Sequence, residues 1–182
     1  MADYYFNLPQ ITQLTIDQQA ALNETKPIAL SGGPGTGKSV VSLWRHISNH
    51  NQGKKSLLLT YTTTLAKYLE LCSKSQNDDA SDNVSSSLRW MTSPYAFQEI
   101  IVDEAQDLNE AQYQVLCALC GSSHRNVMMV GDPKQAIFVW NGANPKYLDL
   151  FELDFGAKKI SMNENFRSSQ VVFNAAKALI PE

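Results

Sequence analysis

Long apolar runs are missing from this chain. None approaches the roughly 18 residues that a membrane-spanning helix requires. The opening Met1-Ala2-Asp3-Tyr4-Tyr5 has neither the basic start nor the apolar stretch of a secretory leader. The expected location is cytoplasmic, with no membrane partner. Cysteine is scarce as well, with three in 182 residues, which points to free thiols rather than a disulfide framework. A basic surplus is also absent. Against 18 Asp and Glu stand 15 Lys and Arg, for a net charge of −3, so composition supplies no electrostatic footprint for nucleic acid. Apolar residues are not in short supply. With 43% hydrophobic and 18% charged residues, the chain reads as one ordered domain with a substantial core.

Cys117 and Cys120 form a CxxC inside an apolar-periodic helical stretch, where positions three apart share a face. That spacing reads as core packing. A zinc site would need Cys72 and His124 to converge on the pair.

A unit recurs along the chain: a short apolar run, a polar or glycine-rich turn, then a helical pattern. The runs are 27–31 (PIALS), 56–60 (SLLLT), 99–103 (EIIVD), 126–131 (NVMMVG) and 158–162 (KKISM). Most are continuous rather than alternating, as strands buried on both faces of a parallel sheet should be. Helical stretches are expected at 15–24, 38–49, 63–73, 109–119, 145–151 and 168–179. The expectation is an α/β fold, a mainly parallel sheet of about five strands with helices on both faces. The polar segment 73–87 carries Val84 as its only large apolar side chain. It is expected to be an exposed, mobile loop that adds little to the core.

In open parallel sheets, ligands lie at the carboxyl ends of the strands. The chemically suggestive residues cluster there. Gly32-Gly33-Pro34-Gly35-Thr36-Gly37-Lys38-Ser39 follows the first run and satisfies GxxxxGK[ST]. Glycines at Gly33, Gly35 and Gly37, with Thr36, let successive backbone N–H groups turn inward around phosphate oxygens. The helix that begins there aims its N-terminus at the same anion. Lys38 would reach the β- and γ-phosphates of ATP, and the Ser39 hydroxyl would hold Mg²⁺. At the end of the third run, Asp103 is placed to join the metal shell and Glu104 to act on the attacking water. An acidic turn alone is commonplace, and it gains meaning only beside the phosphate loop.

The segments DEAQD at 103–107, VGDPKQAIFVWNGA at 130–143 and NFRSS at 165–169 resemble the UvrD/Rep family of superfamily 1 helicases. Leu14-Thr15-Ile16-Asp17-Gln18 is similar to that family's adenine-reading Q motif, and Thr60-Tyr61-Thr62-Thr63 to its strand-contacting motif Ia. The likeness runs from about Leu14 to Ile180. It implies the first RecA-like P-loop ATPase domain of a DNA helicase or translocase. By that resemblance Gln18 pairs with the adenine edge, whereas as an isolated residue it could instead be an exposed helix position. Gln135 touches the γ-phosphate or its water, against the alternative of a loop-surface amide. Arg167 stabilises transition-state charge, against a plain surface ion pair. Tyr61, Thr62 and Trp140 become candidates for contact with single-stranded DNA. Packing is the alternative for the two aromatics, since Tyr61 ends a buried run and Trp140 follows Ile137-Phe138-Val139.

The chain departs from the family pattern in three ways. The interval between motif Ia and Asp103 is too short for the family's accessory insertion. The motifs of a second RecA-like domain are missing after Arg167. Val40, Thr64 and Asn141 stand where relatives often carry a basic residue. The expectation is a fragment of a longer chain, or a domain completed in trans by a partner protein, with weak turnover on its own. The competing expectation is a nucleotide-responsive switch module that does not unwind nucleic acid.

Overall fold

In the computed structural model, which describes residues 8–95, 97–120 and 127–179, the continuous apolar runs become strands of one sheet. These are β1 (Ile28–Gly32), β2 (Ser56–Thr60), β3 (Val84–Ser86), β4 (Glu99–Val102), β5 (Val127–Gly131) and β6 (Lys158–Met162). Their order is β3-β2-β4-β5-β1-β6, and every neighbouring pair is parallel. Residues 1–5, His124, Asn126 and 180–182, on which some of the expectations above rest, lie outside the described residues.

Alternation within each run explains why both faces are covered. Side chains of a strand point to opposite faces with period two. Ala29, Leu57, Leu59, Ile100, Val102, Val127 and Met129 face one core with Trp90, Leu116, Phe151 and Phe155. Ile28, Leu30, Leu58, Ile101, Met128 and Val130 face the other, with Ala21, Val41, Ile47 and Leu69. The first core is closed by α5 (Ser87–Met91), α6 (Glu110–Cys120) and α7 (Lys146–Phe155). The second is closed by α1 (Ile16–Asn23), α2 (Lys38–Asn51), α3 (Thr63–Lys74) and α4 (Asp78–Ser81). Each fully buried Leu or Ile contributes about 1.5–3 kcal/mol, so both faces are strongly specified. β6 is different. It pairs only with β1 among the described strands, and Lys158 and Lys159 are exposed on it, a charge placement that protects a sheet edge from further pairing.

The sheet has one strand more than expected, and segment 73–87 is the reason. It folds into α4 and the edge strand β3. Ala80 is fully buried, and Ser73, Ser81, Ser86 and Ser87 are buried with it. Small side chains pack closely without leaving a hydrophobic signal in the sequence. Two interactions hold the segment in place. The Asn77 side chain accepts from the Ala80 N–H at 2.9 Å, capping α4. The fully buried His46 on α2 joins the Ser56 hydroxyl and the Ala80 carbonyl, both at 2.8 Å. Burial holds His46 down to a pKa of about 4, further lowered by His50 and opposed by the bond to Ala80.

Arg45, also on α2, ties α1 to the base of the sheet. Its guanidinium donates to the Ala21, Leu22 and Glu24 carbonyls at the end of α1 and to Glu99 at the start of β4. Asn49 donates to the other Glu99 oxygen. Orphan carbonyls at a helix C-terminus are favourable partners for a cation. The consequence is positional, because α1 carries Gln18 up to the phosphate loop. At the other end of the chain, α8 (Gln170–Leu179) leaves Val171 78% and Val172 57% exposed.

The cysteines pack. Cys72 is buried and free, while Cys117 and Cys120 are half-buried and free on α6, against the first core. Burial pushes the Cys120 thiol up to about 11, with Cys117 adding to it. Among the described residues no group of three or more His, Cys, Asp or Glu side chains could hold a metal ion.

Candidate functional site

β1 delivers the chain to the phosphate loop. Gly35 (φ 77°) and Gly37 (φ 85°) occupy the left-handed region, which glycine alone adopts without strain. Space demands glycine at both positions too. A Cβ on Gly35 would stand 2.7 Å from the Arg167 Cβ, and one on Gly37 2.5 Å from the Gln18 Nε2. Gly33 faces open space instead. Thr36 donates its hydroxyl to the Gly33 carbonyl at 2.9 Å, and Lys38 folds back on the Gly32 and Gly33 carbonyls at 2.7 and 3.1 Å. No side chain caps the N-terminus of α2. Its first N–H groups, otherwise orphaned, face the loop and suit an anion.

The loop is braced from two sides. From α1, Gln18 donates its amide to the Thr36 carbonyl at 3.0 Å and accepts from the Thr15 N–H at 2.9 Å. Thr15 in turn caps α1, completing a capping box. Gln18 is 5% exposed, so it is no surface helix residue. From beyond β6, Asn165 donates to the Pro34 carbonyl at 2.7 Å, and the Phe166 N–H to the Gly35 carbonyl at 2.8 Å. That docking brings Arg167 over the loop. Arg167 is exposed and forms no ion pair among the described residues.

β4 delivers the carboxylates. Asp103 is 1% exposed and takes the Ser42 hydroxyl on one oxygen at 3.2 Å. Its Oδ2 has no partner. Burial and the neighbouring Glu104 push its pKa up to about 7, against the Ser39 and Ser42 hydroxyls and Lys38, which favour the charged form. A buried carboxylate oxygen without a partner, next to the Ser39 hydroxyl, is the donor set a hard divalent cation takes. Mg²⁺ fits these residues. Asp107 is pushed up to about 6 by burial and then by Glu104.

Glu104 holds φ 55°, the one positive φ at a non-glycine among the described residues. Strain of this kind persists where the surroundings over-determine it, and it concentrates at functional sites. Gln106, which the motif reading left without a role, supplies one constraint by donating to Glu104 Oε2 at 2.6 Å. Its carbonyl oxygen accepts the Asp132 N–H at 3.1 Å. Asp132 accepts from Gln135 Nε2 at 2.6 Å. Ser42 was also missed, although its position one turn beyond Lys38 places it on the same face of α2. Gln106 lies within the DEAQD segment, but nothing in that segment's spacing signals its bond to the turn after β5.

Pro34 to Val40, Glu104, Gln135 and Arg167 line one cleft of about 100 Å³. Beyond Thr36 lies a larger hollow of about 480 Å³, walled by Ile16, Asp17, Met162 and Phe166 among others. Lys38, Glu104, Gln135 and Arg167 are therefore brought together, with Ser39 and Asp103 beneath them. Tyr61, Thr62 and Trp140 stand apart from that cleft. Tyr61 is half-buried, packs on Phe138 at 4.6 Å between ring centroids, and receives a hydrogen bond from Asn141 at 2.8 Å. Trp140 is 81% exposed and is no core residue. Thr62 caps α3 by accepting from the Leu65 N–H.

The UvrD/REP helicase N-terminal domain model matches residues 48–156. DNA helicase II of Haemophilus influenzae is 42% identical over 84 residues, 46% of this chain and 11% of that protein. DNA helicase II of Escherichia coli is 38% identical over 99 residues, 50% of this chain and 14% of that protein. The ATP-dependent DNA helicase PcrA of Staphylococcus aureus is 42% identical over 85 residues, 46% of this chain and 12% of that protein. The chain thus spans only a small part of these relatives' length. In fold it is similar to the Pif1 helicase from Candida albicans, with a TM-score of 0.61 at 16% identity over 93% of this chain and 45% of that one. No helix among the described residues is long and apolar enough to cross a membrane. The family model covers more than half of the sequence, and the chain belongs to the UvrD/REP helicase N-terminal domain family.

Proposed function

We propose that this chain is the ATP-binding and hydrolysing motor domain of a UvrD/Rep-like DNA helicase or translocase, which needs a second RecA-like half for full turnover. The observation that carries the reading is the single cleft lined by the phosphate loop, Glu104, Gln135 and Arg167, with the buried Asp103 carboxylate, one oxygen unpartnered, beside Ser39 and Lys38. Lys38 exchanges the Gly32 and Gly33 carbonyls for the β- and γ-phosphates, and the α2 N-terminus takes the remaining oxygens. Ser39 and Asp103 would hold Mg²⁺, which would supply charge neutralisation at the phosphates. Glu104 orients and deprotonates the attacking water. Arg167 meets the charge that develops on the transferred phosphoryl group. Gln135 sits where it can report the γ-phosphate to the segment carrying Trp140. The adenine base enters the hollow beside Thr36, against Ile16 and Phe166, and Gln18 exchanges its bond to the Thr36 carbonyl for the edge of the base.

Arg167 supplies charge from one flank only. A second flank, in cis or from a partner protein, completes the site, so turnover by this domain alone is weak. Single-stranded DNA is read as lying on Tyr61, Thr62 and Trp140, where base stacking tolerates any sequence. A cytoplasmic setting suits the free thiols.

A second reading has its own observation. The shelf of Tyr61, Phe138, Trp140 and Asn141 carries no charge, and Asn141 bonds to Tyr61 rather than offering a cation to a phosphate. A nucleotide-responsive switch module that contacts protein instead of DNA would have such a shelf. The test is ATP hydrolysis by the longest natural form of the protein with and without single-stranded DNA. Acceleration by DNA supports the motor. One rate under both conditions sinks it and leaves the switch.

A further inference from the structure

The strained Glu104 and the turn after β5 approach the nucleotide cleft from two different strands. One buried amide joins them. Gln106 is 2% exposed and has both ends engaged: its N–H donates to Glu104 Oε2 at 2.6 Å, and its oxygen accepts the backbone N–H of Asp132 at 3.1 Å. Asp132 continues the chain to Gln135 through a 2.6 Å bond, and its other oxygen accepts the Lys134 N–H at 3.0 Å. Gly131 is shaped around this bridge, since a Cβ there would stand 2.5 Å from the Gln106 oxygen. A primary amide carries its donor and its acceptor on separate atoms, so it can donate to a carboxylate and accept from a backbone N–H at once. Buried bonds of this kind are costly to leave unmade.

We propose that Gln106 is a positioning residue that couples the Glu104 carboxylate to the Asp132–Gln135 turn, so that nucleotide seated on the phosphate loop tightens that turn. The inference rests on the nucleotide reading above. Gln106 does not touch the phosphates. It acts through Glu104, whose movement toward the nucleotide pulls or releases the Asp132 N–H across the shared amide.

The test is backbone amide hydrogen exchange on the full chain, with Mg²⁺ and a non-hydrolysable ATP analogue added or withheld. In the wild type, analogue should slow exchange at both 33–39 and 131–136 by about tenfold. In Gln106→Met, which keeps the volume and removes both bonds, protection at 33–39 should persist with analogue affinity within about twofold of wild type. Protection at 131–136 should be lost. Gln106→Glu separates the two arms, because it keeps an acceptor for Asp132 and removes the donor to Glu104. Its exchange at 131–136 without analogue should match wild type, and its response to analogue should be absent. If the Gln106→Met variant does not unfold cooperatively, the Gln106→Glu variant decides alone. Equal protection at 131–136 in the wild type and the cooperatively folded variants would overturn the coupling. A wild type unprotected at 33–39 would instead overturn the nucleotide reading beneath it.

Discussion

The phosphate loop and the aromatic shelf lie on the same edge of the sheet but are built by opposite means. At the loop the side chains of Thr36, Lys38, Gln18 and Asn165 are already held inside the fold, while the first N–H groups of α2 are left uncapped. Lys38 and Thr36 bond loop carbonyls, Gln18 and Asn165 brace it from outside, and two glycines are fixed by both φ and space. The shelf is open. Trp140 is 81% exposed, Ile137 71% and Val139 59%, and no charge stands among Tyr61, Phe138, Trp140 and Asn141. On the proposed reading, the loop is preorganised for one multiply charged ligand. The shelf offers flat apolar area that many partners could use. Preorganised polar sites gain most from low local dielectric, because their dipoles do not reorganise on binding. An exposed platform gains only what it buries.

The contrast can be sharpened by substitutions on each side. The largest effect is expected at Glu104→Gln, which should leave ATP affinity within about twofold of wild type and lower single-turnover hydrolysis by roughly 10²–10⁴-fold in the longest natural form of the protein. Turnover at the wild-type rate would remove Glu104 from the chemistry.

Next comes the far part of α2, the helix that the loop leads into. His46 has an ordinary value of 6.5 and is held at about 4 by burial, so the unfolded chain binds the proton first as pH falls. Its contribution is full above about 6.5 and is lost as pH drops toward about 4, a difference on the order of 3 kcal/mol. Asp103 and Asp107, with raised values, push stability the other way over the same window. The His46 contribution is therefore read as the difference between wild-type and His46→Gln denaturation curves. Parallel curves from pH 7 to pH 4 would show that the fold does not hold the proton off His46.

On the shelf, Trp140→Ala and Tyr61→Ala should each weaken binding of single-stranded DNA by roughly 1–3 kcal/mol and leave ATP affinity unchanged. Fluorescence anisotropy at low salt reads both. Loss of ATP affinity in Trp140→Ala would erase the distinction between the two regions. The smallest change is expected from Asn141→Arg, which adds a cation to a neutral shelf. One extra phosphate contact should steepen the logarithmic salt dependence of DNA binding by about one. An unaltered slope would place the strand elsewhere.

The sequence revealed these two regions unequally. The six phosphate-side residues Lys38, Ser39, Asp103, Glu104, Gln135 and Arg167 come from compact motifs in which a few neighbouring residues carry the whole signal, and the fold brings their segments together. Strands β1, β2, β4 and β5 were legible because continuous apolar runs have few other homes. β3 and α4 were not, because burial there falls on Ala80 and serines, whose small side chains read as polar loop. Gln106 lay inside the recognised DEAQD segment, but its role was hidden for a different reason. Its importance lies in two hydrogen bonds to segments on different strands, and no spacing along one chain encodes that. The capping box of Thr15 and Gln18 has a recognisable spacing that the motif reading did not use, and in it Gln18 braces the loop through the Thr36 carbonyl.

The most direct test of the account is a calorimetric titration of the wild-type chain and of Lys38→Ala with ATP in the presence of Mg²⁺. One nucleotide per chain should bind the wild type, and affinity should fall by at least about 100-fold in the variant, since a charge-assisted contact to two phosphates is removed. Equal affinities would mean that ATP does not sit on the Gly32–Ser39 loop, and the cleft would need another ligand.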